Sequence, residues 1–232
     1  MEIAETKKHV DADEILGVWD TVKDKVSVRV VHSKRNQNRL EGMPHKRFLN
    51  LSVIFHLVLQ ESESGNATLL IHDHTMEHWG ITLDLLWKAA MKNLKAEDFT
   101  IQDLTKVVSD MLGTERKEDD FIGGMYIMTN KSRCFGASAL LRTDLLEEFA
   151  ERVKKDYYII PSSVHEIILI PDDKVLGAEY LEKMLREINE TMVEEEDVLS
   201  DQVYYFSREK GKVEETVKTE HEKKSQESGI KN

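Results

Sequence analysis

An α+β fold is what this sequence predicts: a largely antiparallel sheet built from hairpin-like strand pairs, with helices packed on it. Three observations lead there. Residues 48–59 (FLNLSVIFHLVL) put Leu49, Leu51, Val53, Phe55, Leu57 and Leu59 on one face of an extended segment, the period of two that a strand requires. The polar stretch 61–66 (ESESGN) reads as a hairpin turn, and 67–71 (ATLLI) as the strand that returns from it, so neighbours run antiparallel. Helical stretches then fall between strand pairs, whereas a nucleotide-binding βαβ fold alternates helices with single strands.

In chain order, a flexible N-terminus over 1–12 leads into a helix at 13–26, where Ile15, Trp19 and Val22 share a face. The strand at 48–59 has a second face that mixes Asn50, Ser52 and His56 with Ile54 and Val58, which suits a sheet covered on one side. Thr82 is an N-cap for a helix running to residue 92, with Leu85, Leu86 and Ala89 turned inward. Another helix is expected over 98–112 and a solvated loop over 114–120 (TERKEDD). Residues 124–129 (GMYIMT) and 136–141 (GASALL) read as a second strand pair around 130–135.

Thr143 caps a helix whose Leu146, Phe149, Ala150 and Val153 form an apolar stripe. In that helix Glu147, Glu148 and Glu151 precede Arg152, Lys154 and Lys155, the order its dipole favours. Strands at 157–160 and 166–170 flank Pro161-Ser162-Ser163, with Pro161 and Pro171 at strand ends, where no ladder donor is missed. Residues 178–192 form the strongest helix, with Leu181, Met184, Leu185, Ile188 and Met192 at helical spacing. The run 203–206 closes the sheet. From 207 to 232 the chain is rich in Glu, Lys and Ser and is expected to be a disordered charged tail. One domain therefore spans 13–206.

The 232 residues, 40% hydrophobic and 33% charged, suffice for one ordinary core and exclude collagen-like and wholly disordered classes. No run of eighteen apolar residues exists to span a membrane as a helix. The first dozen residues lack the apolar segment of a secretion signal, and the lone Cys134 fits a reducing compartment. The expected location is the cytoplasm.

Charge is unevenly spread within a net −12. Residues 23–47 hold eight bases against two acids, and 179–201 nine acids against two bases. A nucleic-acid or anion site would use Lys34, Arg35, Arg39, Lys46 and Arg47. The reading favoured here is that the two segments offset each other, within the fold or across a dimer. Overall acidity opposes phosphate affinity, and no aromatic residue interleaves the bases for stacking.

Candidate chemistry concentrates in two places. In 71–78 (IHDHTMEH), a strand running through His74 puts His72 and His74 on one face, and His78 arrives from the next turn. Three imidazoles with an open fourth position would hold zinc and activate water. The spacing matches no strong metal motif, so a polar strand-to-helix turn is the favoured reading. In 161–166 (PSSVHE), a hydroxyl, an imidazole and a carboxylate sit too close along the chain to converge as a triad, and a tight turn is expected. Cys134 has no identifiable base partner. Gly123-Gly124 lacks the lysine of a phosphate loop, and Trp19, Trp79 and Trp87 read as core.

The segments PHKRFLNL (44–51), MYIMTN (125–130), Gly136-Ala137, YIIPSSVHE (158–166) and LSDQVYY (199–205) occur in that order. Together they resemble a bacterial family known only as a domain of unknown function, number fifty-six eighty-eight. The resemblance covers roughly residues 22–207, and IIPSSVHE and LSDQVYY are its most specific parts. It implies no activity, because the family has none assigned. It implies that relatives carry a further N-terminal segment, of which this chain is a shortened form, and that the His72/His74/His78 trio is not the family's hallmark. His45, Asn130, Ser162, Ser163, His165 and Glu166 match family motif positions and form a candidate functional surface.

The function expected is that of a non-enzymatic binding or protein-interaction module of the bacterial cytosol. It would act near the 161–166 turn and the basic segment on an unidentified protein partner or a second copy in a homodimer, without a cofactor. The alternatives are a metal-dependent hydrolase at His72, His74 and His78, and nucleic-acid binding through the basic segment.

Overall fold

Alternation of Val26, Val28 and Val30 with Ser27 and Arg29 makes β1 (Val26–His32) a strand whose two faces differ sharply in polarity. The structure is a computed structural model, and it describes residues 17–62, 65–104 and 124–216. Before β1 lie a four-residue helix α1 (Trp19–Val22) and a 3-10 turn (Lys23–Lys25). After it come α2 (Gln37–Leu40), β2 (His45–Phe48), β3 (Leu51–Ser62), β4 (Gly65–Leu70), α3 (Asp73–Trp79) and α4 (Leu83–Ala96). Next are β5 (Phe99–Asp103), β6 (Tyr126–Asn130), a second 3-10 turn (Gly136–Leu141) and α5 (Thr143–Val153). The chain closes with β7 (Tyr157–Ser163), β8 (Glu166–Pro171), α6 (Ala178–Thr191), β9 (Tyr204–Ser207) and β10 (Lys212–Glu215).

The fold is α+β, and its strands form two antiparallel sheets. In the smaller, β3 pairs with β1 along one edge and with β2 and then β4 along the other. The larger has the order β10-β9-β7-β8-β6-β5. One face of β3, with Leu51, Val53, Phe55 and Leu57, is fully buried against Leu86, Ala90 and Leu94 of α4 and against the larger sheet. The larger sheet carries α5 and the second 3-10 turn on one side, through Met128, Leu146, Phe149 and Ile167. It carries α6 on the other, through Ile160, Ile170, Leu181 and Leu185. Val30 and Leu51 share an apolar cluster with Met128 and Tyr204, so the two sheets have a common core. Among the described residues no helix is long and apolar enough to cross a membrane.

Several local expectations are corrected. The second face of β3 is not solvated: Ser52, Ile54 and His56 are also buried, because the loops of the larger sheet cover it. The first helix is only α1 plus a 3-10 turn, since the valine alternation turns the chain extended at Val26; residues 13–16 lie outside the described part. Thr82 does cap α4, its Oγ1 accepting from Leu85 N–H. The buried stripe there is Leu86, Ala90 and Leu94, and Leu85 is 43% exposed. Residues 99–103 form a strand and not a helix, while 105–112 and the loop at 114–120 lie outside the described residues.

The stretch 136–141 is a buried 3-10 turn, whose small residues permit close approach to neighbouring backbone instead of strand pairing. The charged tail begins later than expected, because Lys212–Glu215 pairs with β9. Residues 1–12 and 217–232, read from the sequence as flexible and disordered, lie outside the described part.

A polar seam joins the sheets at the LSDQVYY stretch. Tyr204 Oη donates to Asn50 Oδ1 at 2.5 Å, and Asn50 Nδ2 donates to Ser200 Oγ at 3.2 Å. Asn189 Nδ2 donates to Ser200 O and Asp201 Oδ1, both at 2.9 Å, and Arg35 pairs with Asp201 at 2.9 Å. Tyr204 is fully buried, so removing its hydroxyl leaves Asn50 Oδ1 short of a donor. Tyr204→Phe should lower unfolding stability by about 1–2 kcal/mol with an unchanged denaturant slope, as read from equilibrium urea unfolding.

Candidate functional site

The loop after β6 is shaped by one buried side chain. Asn130 donates from Nδ2 to Cys134 O and to Glu97 Oε1, both at 2.7 Å, and accepts Cys134 N–H on Oδ1 at 3.1 Å. These bonds hold a tight turn in which Arg133 and Phe135 both have positive φ, 54° and 56°. Such a backbone is costly for a side chain as large as Phe135 and persists only when its surroundings over-determine it.

Phe135 is over-determined on every side. Its N–H donates to His165 Nδ1 at 3.2 Å, and its ring stacks on His165 at 5.6 Å between centroids. From the smaller sheet, His56 meets it edge-on at 5.3 Å and the Arg29 guanidinium lies 4.5 Å above its centroid. His56 pairs with Ser27 and Arg29 with Ile54 across β1 and β3, so both project from the sheet face turned away from α4. Phe135 therefore plugs the larger sheet's loop onto the polar face of the smaller one, and a cavity opens on each side of it.

The first cavity, about 380 Å³, is bounded by Arg29, Asn36 and Arg39 from the basic segment, by His165, and by Glu196 and Asp197 after α6. Its remaining wall is apolar, with Val31, Leu40, Met43, Ile54, Leu70 and Val164. Arg29 is half-buried and its Nε has no hydrogen-bond partner. Burial, and then the nearby Arg39 charge, lower its pKa. Among the described residues no carboxylate pairs with either guanidinium. The neutral His165 ring accepts at Nδ1, so its hydrogen sits on Nε2, which faces Asp197 Oδ1 at 3.4 Å.

The second cavity, about 410 Å³, includes His56, Asn93, Glu97, Asn130 and Cys134. His56 is buried with no partner on Nδ1, and burial, then the Arg29 charge, push its pKa down to about 3. It is a neutral imidazole under all ordinary conditions.

The residues singled out from the sequence do not gather at one point. Asn130 borders the second cavity and His165 the first. His45 lies on β2 with its Nδ1 bonded to Met43 O at 2.8 Å. Ser162 lies within hydrogen-bond reach of Glu166 O and Oε1 at 3.3 and 3.4 Å, and Ser163 Oγ accepts His165 N–H at 3.1 Å. These are the local bonds of a tight hairpin, as the sequence suggested for 161–166.

The histidine trio is corrected. The chain turns helical at Asp73, with His72 as its N-cap, so His72 and His74 are not alternate residues of one strand. Their rings stack 5.3 Å apart, and among the described residues no three His, Cys, Asp or Glu side chains are placed to hold a metal ion.

Two of the bases singled out in the basic segment pair with acids among the described residues. Arg35 pairs with Asp201 and Lys46 with Asp84 at 3.1 Å, and Arg35 and Arg39 share a surface groove with Glu194, Glu195 and Glu196. Arg47 Nε donates to Leu49 O, and Lys34 is exposed. Sequence reasoning missed Arg29, His56 and Phe135 as site residues. For Arg29 a signal existed, since a lone guanidinium alternates with valines in VSVRVV.

Residues 1–208 match the model of a family described as "Family of unknown function (DUF5688)". No curated protein and no solved structure matches the chain.

Two substitutions probe this geometry. A Cβ on Gly136 would overlap His165 O and Thr129 Oγ1 and press on Asn130 N, so Gly136→Ala should cost about 3 kcal/mol in chemical denaturation. His56, ordinarily titrating at 6.5, does so near 3 when folded, so the unfolded chain takes up the proton first as pH falls. Its contribution is intact above 6.5 and is lost on acidification towards 3. Between pH 7 and 5 the native protein should lose about 2 kcal/mol more stability than His56→Asn, measured by urea unfolding at each pH.

Proposed function

The chain belongs to Family of unknown function (DUF5688), and we propose that this member is a non-enzymatic binding module of the bacterial cytosol. It holds a small, partly apolar anion in the cavity between Arg29, Arg39 and His165. The observation that carries this reading is the state of Arg29, whose Nε is buried and unpartnered beside a second guanidinium. Placing two like charges together in a partly dehydrated site is unfavourable, and an anion received there would be bound by charge-assisted hydrogen bonds.

The setting fits a ligand site. The cavity's size lies within the range of small-molecule pockets, and apolar side chains make up half its wall. The Phe135 ring beneath Arg29 keeps the guanidinium flat and directed. No serine, threonine, cysteine, tyrosine or lysine borders the cavity among the described residues, so His165 has no side-chain hydroxyl, thiol or amine to activate there. This favours retention of a ligand over its conversion. The free thiol of Cys134 is in keeping with a reducing compartment.

Hexanoate, an anion with an apolar chain, is a suitable probe. Its binding to the native protein by isothermal titration calorimetry should weaken at least tenfold in Arg29→Met, while the variant's own unfolding midpoint stays equal or rises. A fall in the ligand-free stability of Arg29→Met with no change in hexanoate binding would mark Arg29 as a structural residue and end the proposal.

A further inference from the structure

The cavity is lined by charges of both signs, and this narrows the class of ligand. Resting on the anion-binding reading above, we infer that its ligand is a zwitterion, an α-amino acid or short peptide with apolar side chains. Arg29 of β1 and Arg39 of α2 border the same space as Glu196 and Asp197 of the segment after α6. A simple carboxylate seated at the guanidiniums would share the cavity with the two carboxylates and be repelled by them. A molecule that carries an ammonium group as well meets an opposite charge for each of its own.

The acidic residues of the lining are open to a cation. Glu196 is exposed, with no ion-pair partner among the described residues. Asp197 is held only by His165 Nε2 at 3.4 Å, a loose contact from a ring that is neutral in this tautomer. Val164 N–H donates to Asp197 O at 2.9 Å, so the acidic segment is fixed to the hairpin that carries His165. Arg39 also borders the neighbouring groove with Glu194, Glu195 and Glu196, so the two signs of charge lie close together there. In the same cavity, Val31, Ile54 and Met43 offer an apolar bed for a side chain. A single charge is bound by its opposite number and weakened by its like, whereas a ligand with both charges gains from each.

Four probes separate the possibilities: L-leucine, leucyl-leucine, 4-methylpentanoate, which is leucine without its amine, and isopentylamine, which lacks the carboxylate. By calorimetry on the full chain, leucine or leucyl-leucine should bind at least tenfold more tightly than either single-charge analogue. Whichever of the two binds more tightly identifies the free amino acid or the peptide as the source. In Asp197→Asn combined with Glu196→Gln, that preference over 4-methylpentanoate should fall below threefold, while 4-methylpentanoate itself binds as well or better.

If 4-methylpentanoate matches or exceeds both zwitterions in an Arg29-dependent manner, the anion site stands and the zwitterion inference is wrong. If no probe binds, or binding ignores Arg29→Met, both fall together.

Discussion

The contact between Phe135 and the polar face of the smaller sheet governs much of this structure. Without that ring, His56 and Arg29 would line an open trough between the sheets, with their unpartnered nitrogens in water. With it, one neutral imidazole and one guanidinium are packed against an aromatic ring, and a cavity lies on each side of that ring. The cost of a positive φ at a bulky residue is met by Asn130 on one side and His165 on the other. The adjoining Gly136 must lack a side chain for the loop to lie so close to β6 and the β7–β8 turn.

What could be read from the sequence follows from how local each signal is. The alternation in β3, the spacing in α5 and α6, and the β7–β8 hairpin are set by neighbouring residues, and each is found close to where it was expected, although Pro161 lies within β7, at its register shift, and not at a strand end. The burial of the second face of β3 was not legible, because it depends on a loop eighty residues away in the chain closing over Ser52 and His56. GASALL reads as a strand by composition alone; its small side chains serve close backbone packing, which only the tertiary fold reveals. Likewise Arg29 counted as one base among eight until the structure showed its Nε buried without a partner.

The two stretches that most resemble the family turn out to organise the architecture around the cavity. LSDQVYY ties the Asn50 turn, α6 and Arg35 to the larger sheet. IIPSSVHE forms the hairpin whose local hydrogen bonds aim His165 at Phe135. Ser162, Ser163 and Glu166 thus hold a turn, and the residues that border the first cavity are others. The acidic and basic segments meet as well, through Arg35 and Asp201 and along the Arg39–Glu196 groove.

The short strand Lys212–Glu215 has a bearing on how the molecule behaves in a crowded solution. It forms the outermost rung of the six-stranded sheet, and three of its four residues are charged. An unpaired rim of backbone amides and carbonyls is an invitation to fibril growth, and a brief, ionised border discourages a foreign strand from docking there. The same few residues that extend the ladder thereby cap it against polymerisation.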